Sequence, residues 1–184
     1  TRLYKEAPKL PADLDLRQLS AAGVLAELNE GVNAVSASGH GNPAAAPTGV
    51  ALAVNIGAII ERGRFTDRDV SLSWMPLTHD MGLIGFHLCM FAANIEHTIM
   101  DTRLFSRRPL LWLEEASRIG ATLLSSPNFG YKHFLKMYES KGLDGLDLSR
   151  VRLLFNGAEP ISVVLCRRFM QEMQRFGLPA SAMY

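Results

Sequence analysis

A histidine followed by an aspartate, His79-Asp80, separates an alternating stretch ending at Trp74 from a glycine-bearing apolar run, Met81-Gly82-Leu83-Ile84-Gly85. An imidazole in that position stands at the start of a helix, whose free N–H groups and dipole favour an anion beside it. The same pair also suits a plain helix start, with His79 as a plug and Asp80 as N-cap. A second polar constellation is Ser125-Ser126-Pro127-Asn128-Phe129-Gly130-Tyr131. An amide beside an aromatic ring fits the wall of an apolar pocket with one polar contact. It fits equally a turn in which Asn128 is a local cap and Phe129 joins the core. The third is Asn156-Gly157-Ala158-Glu159-Pro160, after an apolar strand. Small side chains at 157 and 158 let a flat ligand reach backbone amide and carbonyl groups. A tight turn with Pro160 at the first helical position accounts for the same residues.

These groups depend on the elements that carry them. Apolar positions at Leu52, Val54, Ile56, Ile59 and Ile60 predict a helix from Val50 to near Gly63, and Val70, Leu72 and Trp74 alternate with Ser71 and Ser73 as in a strand with one buried face. The run 82–94 reads as a buried helix, 97–100 as a short strand, and 109–119 as a helix with Glu114 and Glu115 exposed. Strands follow at 121–125 and 151–155, with helices at 129–138 and at 163–176, the last closed by Gly177. Alternating strands and helices predict an α/β fold, a parallel-rich sheet with crossover helices. Ligands of such sheets sit beyond the carboxyl ends of the strands, where all three constellations fall. Upstream, residues 1–16 have no sustained period, a short helix fits near 19–28, and 31–49 has the Gly, Pro, Ser, Asn and Ala composition of a long loop.

Composition narrows the function further. With 19 Lys and Arg against 18 Asp and Glu, the 184-residue chain carries no bulk field to hold nucleic acid or an anionic membrane. No apolar run is long enough for a membrane span, and the chain reads as cytoplasmic. Cys89 and Cys166 sit in apolar stretches without metal-ligand spacing, which predicts buried thiols.

Taken together and in this order, the three segments resemble the adenylate-forming superfamily, most closely the fatty acyl-AMP ligases. Trp74 to Gly85 is similar to the family's His-bearing segment, Phe105 to Tyr131 to the stretch that follows it, and Leu146 to Pro160 to the adenine-contacting turn. The resemblance covers about Ser71 to Tyr184. It implies a partial N-terminal adenylation domain over 1–184, with a lead-in and a degenerate phosphate-loop region at 1–49 and the α/β core at 50–184. The implied reaction is ATP- and Mg²⁺-dependent activation of a fatty acid as acyl-AMP, followed by transfer to the phosphopantetheine thiol of an acyl carrier protein or to coenzyme A, in the setting of fatty acid, polyketide or nonribosomal peptide metabolism. His79 takes the catalytic place, and Asn156, Gly157, Ala158, Glu159 and Pro160 the nucleotide site. Trp74, Met81, Gly82, Ile84, Asn128 and Phe129 take the acyl pocket, and the Mg²⁺ ligand is expected outside the chain.

Two departures qualify the implication. The family's phosphate loop ends in Pro-Lys-Gly, whereas Ser36-Ala37-Ser38-Gly39-His40-Gly41-Asn42-Pro43 lacks the lysine, leaving Ser38, Gly39 and Gly41 as a degenerate loop. The family's Tyr-Gly-Leu-Ala-Glu segment, hinge and mobile C-terminal domain are not in the sequence, so the chain alone is expected to be inactive. Loss of the lysine also fits a degenerate adenylation domain retained as a docking or scaffold element. An unrelated nucleotide-binding domain would need a glycine fingerprint, and neither Gly-x-Gly-x-x-Gly nor a Lys-containing loop is present.

Overall fold

The computed structural model describes residues 49–183. Ser38, Gly39 and Gly41, together with the helix expected near 19–28, lie outside the described residues. The chain divides into units 1–55 and 56–184, and the sheet belongs to the second.

In chain order the elements are helix α1 (Gly49–Gly63), strand β1 (Val70–Ser73), a π-helix (Met81–Leu88) running into α2 (Cys89–Ala92), β2 (Glu96–Ile99), α3 (Thr102–Arg107) and α4 (Leu111–Ile119). Strand β3 (Leu123–Ser126), α5 (Asn128–Lys141), β4 (Leu153–Asn156) and α6 (Val163–Met173) follow, and α6 tightens into a 3-10 turn (Gln174–Phe176) before Gly177 at φ +83°. Helix α3 has no counterpart in the sequence reading. Its start is made by Asp101, whose carboxylate accepts the N–H groups of Arg103 and Leu104 at 2.7 and 3.0 Å.

The run 82–94 is not the single α-helix its apolar pattern predicts. The backbone winds wider over Met81–Leu88, and the Cys89 N–H reaches back five residues to the Ile84 carbonyl. Glycines at 82 and 85 weaken the α-helical preference of this segment, so tertiary packing sets its winding.

All four strands pair in parallel in the order β2-β1-β3-β4. Register aligns Leu72, Leu124 and Leu154 in a row across three strands, and each is buried. This face carries the main core, where the rings of Trp112, Tyr131, Phe134 and Phe169 meet mostly edge to face. Trp74 lies flat on Phe105, with centroids 3.8 Å apart. The other face is covered too: Phe155 of β4 takes the edges of Phe65 and of Phe86 from the π-helix, at 6.1 and 5.5 Å.

Covering both faces overturns the expectation of one open side for β1. Ser71 and Ser73 are buried, and their hydroxyls find partners in His97 Nδ1 at 3.1 Å and in Ser125 Oγ and the Met75 N–H. His97 is pushed down to about 4 by burial and by the neighbouring His87 ring, so it remains neutral near pH 7. Glu114 and Glu115 are likewise half-buried, and Glu115 pairs with Arg118 one turn on. Both cysteines are buried, as their apolar surroundings predict, and burial pushes the Cys89 thiol up to about 12.

One polar network closes the amino end of the sheet. The Asp69 carboxylate, 4% exposed, accepts from Arg152 Nε and Nη2 at 2.7 and 2.6 Å, from Thr122 Oγ1 at 2.7 Å and from the Thr66 N–H at 2.9 Å. Arg152 also donates to the carbonyls of Gly63 and Arg64, tying the end of α1 to β4. Burial raises the Asp69 pKa, but the hydrogen bonds from Arg152, Thr122 and Thr66 and the Arg152 charge outweigh it and hold the carboxyl below its ordinary 3.8. The stabilisation is therefore complete above the ordinary carboxyl value and is lost as pH falls through the lower folded value. Arg152→Met is expected to cost ~2 kcal/mol in denaturant titration, less than a fully buried pair because the arginine is partly exposed. The same variant should show a weaker loss of stability than the parent chain as the pH is taken below about 4.

Candidate functional site

Strand order reverses at β1 and β3. From β1 the chain steps outward to β2, then returns past β1 to β3 and β4. Connections leaving neighbouring strands in opposite directions open a crevice beyond their shared carboxyl ends. The three constellations of the sequence, Trp74 to Gly85, Ser125 to Tyr131 and Asn156 to Pro160, run out from the carboxyl ends of β1, β3 and β4.

At the end of β1, Trp74 is 1% exposed. Its ring stacks on Phe105 and meets the Phe129 ring edge at 5.5 Å, so it backs the crevice from inside the core. Thr102 Oγ1 donates to the Trp74 carbonyl at 2.8 Å and binds the loop after β2 to the loop after β1. His79 is exposed. The His79 carbonyl accepts the N–H groups of Gly82 and Leu83 at 2.9 and 2.8 Å, and its ring Nδ1 accepts the Met81 N–H at 3.1 Å. Acceptance at Nδ1 places the proton of the neutral ring on Nε2, which turns an N–H donor outward. The Asp80 side chain makes no capping bond, contrary to its expected N-cap role, because the N–H groups of Gly82 and Leu83 that it would accept are taken by the His79 carbonyl.

Gly82 is a packing requirement. A Cβ there would lie 2.2 Å from the Pro76 carbonyl oxygen, so the π-helix rests directly on the loop that carries His79. Met81, half-buried, reaches across the crevice: a Cβ built on Gly157 would sit 3.9 Å from its sulfur. Ile84 is half-buried on the π-helix one turn further on.

At the end of β3, Gly130 lets α5 begin on top of the strand. A Cβ would approach Ser126 Oγ to 2.1 Å and the Trp74 ring to 2.5 Å. Phe129 is 56% exposed and presents its ring at the crevice edge. The Asn128 side chain turns toward the third segment. Its Nδ2 donates to the Pro160 carbonyl at 2.7 Å, and its Oδ1 accepts from Asn156 Nδ2 at 2.9 Å and from the Ser162 N–H at 3.1 Å.

At the end of β4, Asn156 is 9% exposed, and its Nδ2 also contacts Cys166 Sγ at 3.1 Å. Its Oδ1 is buried, with no hydrogen-bond partner among the described residues. Ala158 has φ +70°, a conformation that costs a non-glycine residue roughly 1 kcal/mol and persists only where neighbours hold it. Glu159 reaches back to the start of α5, where its Oε1 accepts the Phe129 N–H at 3.0 Å. Pro160 precedes α6 but is not its first residue; Ser162 caps the helix by accepting the Leu165 N–H.

The second and third segments are thus hydrogen-bonded together, and the first meets the third at Met81 and Gly157. Sequence reasoning gave no role to Ser162, Cys166 or Tyr131. Ser162 carried the signal of an N-cap before an apolar helix, whereas the Cys166 contact depends on the placement of α6. Tyr131 donates to the Phe155 carbonyl at 2.7 Å, and burial followed by the nearby Cys166 raises its phenol well above the ordinary range, keeping it protonated. Among the described residues no three His, Cys, Asp or Glu side chains group as a metal site, and no helix is long and apolar enough to cross a membrane.

Residues 40–184 match the family model described as AMP-binding enzyme. A long-chain-fatty-acid–AMP ligase of Mycolicibacterium smegmatis is 39% identical over 74% of this chain and 23% of its own length. A medium-chain-fatty-acid–[acyl-carrier-protein] ligase of Moorena producens is 32% identical over 68% of the chain and 21% of its length. Among solved structures, a fatty acyl-adenylate ligase from L. pneumophila, in complex with acyl adenylate and pyrophosphate, superposes with TM-score 0.69 at 35% identity, covering 72% of this chain and 23% of its own. The chain therefore spans about a quarter of the length of the relatives it matches.

The close contact at Gly82 and the left-handed Ala158 generate a paired test. Gly82→Ala should lower stability by ~2–3 kcal/mol, because backbone rather than a flexible side-chain end blocks the new methyl. Ala158→Val should cost ~1–2 kcal/mol through its β-branch at positive φ. Thermal and urea melts of the two variants against the parent chain check both values.

Proposed function

Because the chain belongs to the family of AMP-binding enzymes, we propose that it supplies part of the N-terminal domain of a longer ligase that activates a fatty acid as its acyl-AMP. A carboxylate oxygen attacks the α-phosphorus of ATP, a new C–O–P link forms, and the bond to pyrophosphate breaks. A phosphopantetheine thiol, of an acyl carrier protein or alternatively of coenzyme A, then attacks the acyl carbon, so that a thioester forms, the acyl C–O bond to the phosphate breaks and AMP leaves.

The observation that carries the reading is the gathering of three strand-end turns around the β1–β3 reversal, with Met81 set against Gly157. The third turn suits adenine: Gly157 offers bare backbone to a flat base. With Gly157, the residues Ala158, Glu159 and Pro160 would frame the adenine and ribose. His79 is exposed beside a helix start with its Nδ1 accepting the Met81 N–H, and Nε2–H would donate to a carboxylate or α-phosphate oxygen as negative charge develops there. Met81, Ile84 and Phe129 would line the acyl chain, with Gly82 and Trp74 supporting them from behind. Mg²⁺, when bound with ATP, would neutralise phosphate charge.

The absence of lysine from the sequence 36–43 favours a second reading, a non-catalytic adenylation domain kept for docking. Pyrophosphate exchange separates the two. The longer protein should exchange radiolabelled pyrophosphate into ATP in the presence of a long-chain fatty acid, and His79→Ala should reduce the rate ~100-fold, as loss of one oriented donor does. The chain by itself should give no exchange above background. A longer protein that binds neither ATP nor an acyl-AMP analogue in calorimetry would favour the docking role.

A further inference from the structure

We propose that Asn128 is a positioning residue for the nucleotide turn, joining the acyl and nucleotide sides of the crevice, and not part of the acyl wall. The inference rests on the proposed function for the identity of the ligand, and on geometry alone for the mechanical role.

A primary amide has two donor hydrogens and two acceptor lone pairs. Asn128 commits three of these four within the protein, one to Pro160 and two accepted from Asn156 and Ser162. The partners bracket the turn: Asn156 at its entry, Pro160 and Ser162 at its exit. Exchanging the amide oxygen and nitrogen would set Nδ2 against the Ser162 N–H and oxygen against the Pro160 carbonyl, so the orientation is determined by the network. Between the bracketed ends lies Ala158, whose left-handed backbone needs an external hold. Glu159 adds a fourth tie, to the Phe129 N–H next to Asn128. An acyl chain offers no polar group to replace any of these bonds, and a side chain committed to them is unavailable as a pocket wall. Its effect on catalysis runs through the position of Gly157 and Ala158.

The test has a structural arm on this chain and a kinetic arm on the longer enzyme. In Asn128→Ala, water-exchange NMR should show the Ser162 amide proton exchanging ~10-fold faster while Phe134 and Leu135 in the middle of α5 are unchanged. In the enzyme the same variant should raise KM for ATP ~10-fold and leave KM for the fatty acid within about twofold, as expected for loss of hydrogen bonds that hold only the nucleotide turn. Asn128→Asp keeps both accepted bonds but sets an oxygen against the Pro160 carbonyl; it should raise KM for ATP as the alanine variant does, again leaving KM for the fatty acid within about twofold, and it carries the test if the alanine variant fails to fold. Unchanged Ser162 exchange, or a rise confined to KM for the fatty acid, overturns the proposal. If the parental longer enzyme forms no adenylate, the proposed function fails while the exchange arm still decides whether Asn128 holds the turn.

Discussion

Two neighbouring parallel strands whose connections depart in opposite directions cannot have the space beyond their shared ends filled by either connection, and the site of this protein depends on that constraint. The order β2-β1-β3-β4 puts the reversal at β1 and β3. The π-helix after β1 covers one face through Phe86, and the helix after β3 covers the other through Tyr131 and Phe134. Everything placed in the crevice is a strand-end group that this divergence leaves uncovered.

Close backbone approach then determines how tightly the crevice walls are held. Gly82 lies against the Pro76 carbonyl and Gly130 against Trp74 and Ser126. Side chains at either position would lift the π-helix or α5 away from the strand ends and widen the gap between the loops. Ala158 stores strain in the same region, and the amides of Asn128 and Asn156 with the Glu159 carboxylate hold it there. Rigidity at the site comes from polar bonds between turns more than from apolar packing, since Phe129, Ile161, Val163 and Val164 remain exposed around it.

Stability is concentrated at the opposite end of the sheet. Asp69, Thr122 and Arg152 interlock the starts of β1, β3 and β4 and anchor the end of α1. Separation of an anchored amino end from the carboxyl end that carries the polar turns lets the Ala158 backbone hold its strain without unfolding the sheet, because the core of Leu72, Leu124, Leu154 and the aromatic cluster lies between them.

Local pattern determined the alternation of strands and helices, the parallel sheet, the placement of the three polar segments at strand ends and the burial of both cysteines, because each follows from periodicity, turn residues and apolar content within a dozen residues. The π-helical winding, the second covered face of β1 and the turning of Asn128 toward Pro160 were decided only by tertiary structure. So was the Asp69–Arg152 pair, whose members are 83 residues apart in the chain. The physical reason is common to all of them: each depends on which distant surface arrives against a residue, and a side chain with several hydrogen-bonding options takes the one that packing presents.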